Sequence, residues 1–497
     1  MFKKFTSSIA GASIFIASFN FLSKGIGFLR EILFASLFGL SANFDIYLVG
    51  AVLPLTINVI VICLGQNYLI PAYNKLKEKS SKLSEHFVLQ NFLIFISGGI
   101  IISGILYLFS EQIITSYLQN TSSNLKVTGL NIFNLFLITI PITCGISVIS
   151  AYQQSNFEFK YPVISQLLCN IIILLTVFIL KDLNIYSIPV GYIIGSILQL
   201  TLLIVNSKSL FKNFFMILKT FEHYKETISV SFIIIILIES IGQLYIISDR
   251  YFFSYVSFGG ISALNYSFTI FLFPLSILSI ALSTAIFPKF SQLFSKKSDT
   301  ELERVLNEGM IISISIFTPI MFLFMLYGNN LLKIIFERGM FTGTDTILTS
   351  EVLFYYSISI IFYATYSILN KMIYSVGLIN KLLFITIVGI GIKILLNYLL
   401  ANNMQQNGLA LSTSISFIFF FFASLFLIYK RFPFMQKNLF FTELFFHLLN
   451  GIISILIIKQ FSLLFPENLF FSFIELIVFI SFYSLNLILN QELYLMI

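Results

Sequence analysis

Tryptophan is absent from the 497 residues, and cysteine, histidine and charge are scarce: three Cys, three His, and only 10% Asp, Glu, Lys and Arg together. Cys63, Cys144 and Cys169 each sit inside an apolar run, without the paired spacing of a disulfide framework or a metal cluster. His86, His223 and His447 are isolated, and no Ser/His/Asp grouping or H-E-x-x-H motif accompanies them. A G-x-x-x-x-G-K-[ST] phosphate loop is missing too, which excludes a P-loop ATPase. The gaps between apolar runs reach only about 20 residues, too short for a separate catalytic domain. These absences argue against an enzyme and against any cofactor. Glu337-Arg338-Gly339 with Asp345, the nearest thing to a charged extramembrane motif, reads as structural.

What remains is apolar. Hydrophobic residues make up 58% of the chain, with 59 Phe and 24 Tyr, and mean hydropathy is +0.95, far outside soluble composition. Runs of about 20 residues, long enough to cross a bilayer, fall at 8–37, 44–73, 87–110, 127–151, 161–180, 184–206, 227–251, 260–288, 305–327, 350–370, 382–402, 408–429, 442–459 and 468–490. The pattern predicts an all-α polytopic membrane protein of about fourteen transmembrane helices. Lys3 and Lys4 precede the first run as in a signal peptide, but without a persuasive cleavage site, so an uncleaved first span is expected. With the N-terminus placed in the cytoplasm, 20 of the 29 Lys and Arg fall on that side and 5 on the other, an asymmetry that supports cytoplasmic termini and an even span count. The net charge of +7 is therefore explained by membrane orientation rather than by nucleic acid.

An offset of 220 residues relates Arg30, Phe38-Gly39 and Pro54 to Arg250, Phe258-Gly259 and Pro274, with Asp45 opposite Asn265. Six spans per repeat give the halves one topology and an axis along the membrane normal, an architecture of transporters. Three segments follow: a six-helix lobe over 1–225, a second over 226–437 related to it by a pseudo-two-fold axis, and a two-helix extension over 438–497. The extension either forms a groove for a lipid tail or packs on the bundle.

Charges inside the spans mark candidate sites, because each costs about 2.5 to 3.5 kcal/mol or more in hydrocarbon. Lys24 and Arg30 lie six apart on the first span, about 120° apart on a straight helix, and Gly25-x-Gly27 between them offers a bend. Two readings stand: a cationic lining for a phosphate, with Arg30 as a bidentate fork and Lys24 as a point charge, or an Arg30–Asp45 pair pinning spans one and two while Lys24 snorkels. Glu239 and Lys393, each mid-span, are expected to pair, with Asn397 and Thr413 as polar companions. Asp249 and Arg250 read as a pair closing the far end of the seventh span.

The opening stretch Ser23-Lys24-x-x-Gly27-Phe28-x-Arg30-Glu31, with Phe38-Gly39, Asp45 and Leu53-Pro54, resembles the signature of the MurJ (MviN) lipid II flippases, of the multidrug/oligosaccharidyl-lipid/polysaccharide exporter superfamily. The resemblance continues through Ala263-Leu264-Asn265-Tyr266, Phe273-Pro274, Phe287-Pro288, Phe336-Glu337-Arg338-Gly339-x-Phe341-Thr342 and Gly408 to Ser414. It implies a cationic cavity between two lobes, a lipid-tail groove in the last two helices, and alternating access. The implied cargo is a polyprenyl-diphosphate-linked saccharide moved to the outer leaflet of the bacterial cytoplasmic membrane, by a protein acting as a monomer among membrane lipids. Arg30 and Asp45 match the family; Lys24 stands where it has arginine, Asn58 and Thr269 stand at two further cavity arginines, and Cys63 stands near an acidic position. A different lipid-linked glycan, of O-antigen, capsule or teichoic type, and a cation-coupled small-molecule antiporter are the alternatives. Family members can hold a monovalent cation between spans seven, eleven and twelve; the match places that site at Glu239, Lys393, Asn397 and Thr413, with the Lys393 ammonium in the cation's place.

Overall fold

The computed structural model describes residues 9–119, 121–212, 230–432 and 438–462, together with 478, 481 and 483. Among these residues all regular structure is helical, as a bilayer demands of a chain whose backbone groups must be satisfied within each segment. The chain divides into two compact units, 1–254 and 255–497.

In the first unit α1 (Ile9–Phe38) ends at Gly39, whose φ of 54° lets the chain reverse, and Ser41 caps α2 (Ala42–Leu64) by accepting from the Phe44 amide. A five-residue π turn, Gly65–Leu69, joins α2 to α3 (Ile70–Lys79). There follow α4 (Ser81–Leu108), α5 (Ser110–Tyr117), α6 (Ser123–Leu137), α7 (Thr139–Ser155), α8 (Lys160–Ile179) and α9 (Ser187–Asn206). Helix α10 (Val230–Tyr251) packs on α2 within this unit. The π turn shifts the hydrogen-bond register, and the Ser147 hydroxyl of α7 supports it by donating to the Val61 carbonyl at 2.7 Å. Gly65 is required there: a Cβ would lie 2.4 Å from Ser147 Oγ.

The second unit holds α11 (Gly260–Pro274), a second π turn at Leu275–Ser279, α12 (Ile280–Ser295), α13 (Asp299–Phe336), α14 (Gly343–Ser357), α15 (Ile360–Ser375), α16 (Ile379–Arg431) and α17 (Asn438–Ser462). The duplication read in the sequence returns in the backbone. Gly39 and Gly259, 220 apart, both take positive φ, as do Phe157 and Gly377 at the same offset. The latter two end their helices in matching bonds, Glu158 N to Gln153 O and Leu378 N to Ile373 O, the six-residue closure of a Schellman cap. Ser147 and Ser367, again 220 apart, each serve a π turn, Ser367 through Ser279 at 2.6 Å. Asn184 and Gln405, 221 apart, both sit at φ 48° with ψ near −130°.

Nine helical stretches among the described residues are long and apolar enough to cross a membrane, and α14 with α15, bent by 45°, makes a tenth. The fourteen expected spans are thus not reproduced one for one. Expected spans eleven and twelve run as a single α16 because only the turn at Gln405 separates them, and 468–490 lies almost wholly outside the described residues, as do Lys3, Lys4, Lys219 and Lys225. Large side chains on α4 face outward without polar relief, Ile101 at 61% and Leu108 at 75% exposure, as a lipid-facing surface would.

The backbone of Gln405 is that of the first central residue of a type II′ turn, where glycine is favoured. Gln405→Gly is expected to raise the thermal midpoint of the purified protein by the equivalent of about 1 kcal/mol, and Gln405→Val to lower it; a lower midpoint for the glycine variant would contradict the turn.

Candidate functional site: a buried guanidinium and two polar clusters

Helix α1 runs unbroken through Gly25 and Gly27, leaving Lys24 exposed while Arg30, six residues on, is partly buried. Helix α1 is tied to α8 through side chains, the Asn170 amide donating to Ser23 Oγ at 3.1 Å. Arg30 then lies in an aromatic box. Its guanidinium carbon is 5.7 Å from the Phe34 ring, one turn on along α1, and 5.6 Å from the Tyr192 ring of α9. Phe136 of α6 closes the box, 5.2 Å from Tyr192 and 6.0 Å from Tyr47 of α2.

Among the described residues the ion partner of Arg30 is Glu31, at 2.9 Å, and not Asp45, the partner considered from the spacing. Neighbours on a helix point about 100° apart, so Arg30 must fold back to make this bond, and Glu31 engages one of its five donors. Among the described residues Arg30 Nε is buried with no acceptor. A buried donor without a partner typically costs about 1 to 3 kcal/mol. Asp45 is fully buried in the first turn of α2, where a helix N-terminus favours a carboxylate.

Asn58 is a clamp between helices: its amide donates to Thr139 Oγ1 of α7 at 2.8 Å, while its own oxygen is buried and unsatisfied among the described residues. Thr269 turns its hydroxyl back to the Asn265 carbonyl of its own helix at 2.9 Å. Glu239 of α10 accepts from Asn67 Nδ2 in the π turn at 3.3 Å, and Cys63 is a half-buried thiol near the end of α2. Asp249 and Arg250 are buried at the end of the same helix, where the neighbouring Tyr251 meets Tyr117 of α5 edge-on at 5.9 Å.

In the second unit Lys393, Asn397 and Thr413 are all fully buried and come together across the two arms of α16. Lys393 Nζ donates to Thr413 Oγ1 at 2.7 Å, Thr413 passes its own proton to the Leu409 carbonyl at 3.0 Å, and Ser412 donates to Asn397 Oδ1. Gly408 lets the arms meet, since a Cβ there would lie 2.6 Å from the Leu400 carbonyl oxygen. The block at 336–346 is a folded corner: Thr342 and Asp345 form a capping box, Thr346 donates to Glu337 at 2.8 Å, Arg338 donates to the Ile334 carbonyl, and Phe341 and Phe336 pack on Tyr266.

Buried charge in strongly apolar helices, together with a duplicated backbone plan, defines a multi-pass helical membrane protein of the kind that builds transporters. A family model described as "Lipid II flippase MurJ" matches residues 34–480, and the chain belongs to that family. It is 25% identical over 411 residues to a probable lipid II flippase MurJ of Rickettsia prowazekii (strain Madrid E), covering 82% of this chain and 81% of the relative. Against the lipid II flippase MurJ of Thermosipho africanus (strain TCF52B) it is 26% identical over 426 residues, covering 82% and 83%. The fold is shared with a solved lipid II flippase MurJ in an inward closed conformation, with a TM-score of 0.80 at 22% identity over 97% of this chain and 100% of that one.

Removing an acceptor of a buried ammonium while the charge stays is costlier than removing the ammonium itself. Thr413→Val is therefore expected to destabilise the protein by about 1 to 3 kcal/mol and Lys393→Met by less, read from thermal midpoints; the reverse order would show that the Lys393–Thr413 bond is not what fixes the two arms.

Proposed function

We propose that this protein translocates a polyprenyl-diphosphate-linked saccharide of the lipid II type from the cytoplasmic to the outer leaflet of a bacterial cytoplasmic membrane, with Arg30 receiving the diphosphate. The observation that carries the reading is the buried guanidinium with an unsatisfied Nε. Glu31 holds the charge in the absence of cargo, and a phosphate offers the bidentate acceptor that one carboxylate at an adjacent position cannot. The family relationship and the lipid II cargo named for the relatives support the same assignment.

In this proposal 1–225 and 226–437 act as two lobes in alternating access, and 438–497 carries the lipid tail. Both termini are cytoplasmic, and the protein works as a monomer. Lys24 supplies a second positive charge to the headgroup and Asp45 a counter-charge; Asp249 and Arg250 act at the gate. Asn58 and Thr269 leave the cavity less cationic than the family pattern, and on that observation rests a second reading, in which the cargo is another lipid-linked glycan.

A monovalent cation does not fit the Lys393 cluster. Thr413 Oγ1 already accepts from the Lys393 ammonium, so an added cation would meet like charge at short range. Transport driven by this chain should accordingly be indifferent to sodium.

Expression in cells depleted of their own lipid II flippase tests the assignment. The parent chain should restore growth, Arg30→Ala should abolish rescue at unchanged protein level, and Arg30→Lys, which keeps charge but loses the fork, should restore it only in part. Full rescue by Arg30→Ala would remove Arg30 from the site, and rescue only of a strain lacking an O-antigen or capsule flippase would favour the second reading.

A further inference from the structure

His447 stands alone in the sequence but not in the fold. It is 4% exposed on α17, facing α13. Its Nε2 lies 3.1 Å from Ser315 Oγ of α13, its Nδ1 lies 2.8 Å from the Tyr483 hydroxyl, and Glu443, one turn earlier on α17, brings a carboxylate oxygen to 4.0 Å from Nε2. The Tyr483 carbonyl in turn accepts from Asn450 Nδ2 at 3.1 Å.

The hydroxyls around the ring can satisfy it in either protonation state. In the neutral ring Tyr483 O–H donates to Nδ1 and Nε2–H donates to Ser315 Oγ, whose own proton goes to the Ile311 carbonyl at 2.9 Å. When Nδ1 takes up a proton it donates to the Tyr483 oxygen, and the tyrosine O–H rotates away from the ring. One hydroxyl rotation accommodates the proton. An imidazolium in such a place also needs a counter-ion, and Glu443, with its side chain 22% exposed, provides one with access to the surface.

From this arrangement we infer that His447 and Glu443 form a proton-binding site where α17 and Tyr483 meet α13. Its ligand is a proton, taken up at Nδ1 and balanced by the Glu443 carboxylate. Among the described residues the titratable groups facing the ring are Glu443 from its own helix and Tyr483. Helix α13 presents Ser315; its Arg304–Glu308 pair lies toward the start of that helix and is solvent-exposed.

The test uses the full-length chain in lipid nanodiscs with His86→Gln and His223→Gln, the second of these lying outside the described residues, so that His447 is the sole histidine. Nitrogen-15 NMR of labelled histidine should show a neutral ring protonated at Nε2 at about pH 8 that converts to imidazolium as the pH falls through the acid range. Glu443→Gln should move that conversion down by about one pH unit, and Tyr483→Phe should also move it down with the thermal midpoint monitored as a check on folding. A ring that stays neutral over the whole range, or a conversion unmoved by Glu443→Gln, would overturn the site. Neither result depends on what the protein transports.

Discussion

A single guanidinium, set among four aromatic rings and tied to the carboxylate of its own neighbour, is the constraint around which the first unit is arranged. Arg30 could have been stabilised by a partner on another helix, as a structural charge usually is. Instead Glu31 engages it from the adjacent position and leaves Nε buried without an acceptor among the described residues. The surrounding rings belong to four helices, α1, α2, α6 and α9, so the placement of those helices and the placement of the charge are one problem. Such a site is poorly optimised for stability.

Duplication supplies the frame and divergence supplies the chemistry. Both units keep the same backbone breaks: left-handed residues at Gly39 and Gly259, Schellman caps at Phe157 and Gly377, type II′ corners at Asn184 and Gln405, and serines on the π turns. The side chains at equivalent places have gone separate ways. Asp45, buried at a helix start, stands opposite Asn265, whose carbonyl accepts from Thr269. The second unit buries its charge on α16 as an ammonium held by a hydroxyl, where the first holds a guanidinium against aromatic faces and a carboxylate.

Helical class, membrane character and the repeat were legible in the chain because each rests on local composition or on residues, Gly and Pro above all, whose backbone demands show in sequence. The count of spans was less so: Gln405 turns the chain without glycine or proline, and the two spans it separates join into one 53-residue helix. The site was legible in part. Arg30 announced itself by the cost of its charge, but Tyr192 lies far along the chain and looks like any other aromatic in a protein with 24 tyrosines. Glu239 was equally conspicuous, whereas its contact with Asn67 spans 172 positions and carries no periodic signal. His447 was set aside for want of neighbours in sequence, its partners lying 132 and 36 positions away.

The account turns on whether the buried guanidinium recognises a lipid-borne diphosphate. Native mass spectrometry of the purified protein, offered lipid II and an uncharged polyprenol of the same chain length, compares the two directly. Strong preference for the diphosphate lipid, lost in Arg30→Gln while polyprenol binding persists, is the predicted result; equal retention of both lipids by the parent chain, or an undiminished preference in the variant, would contradict it.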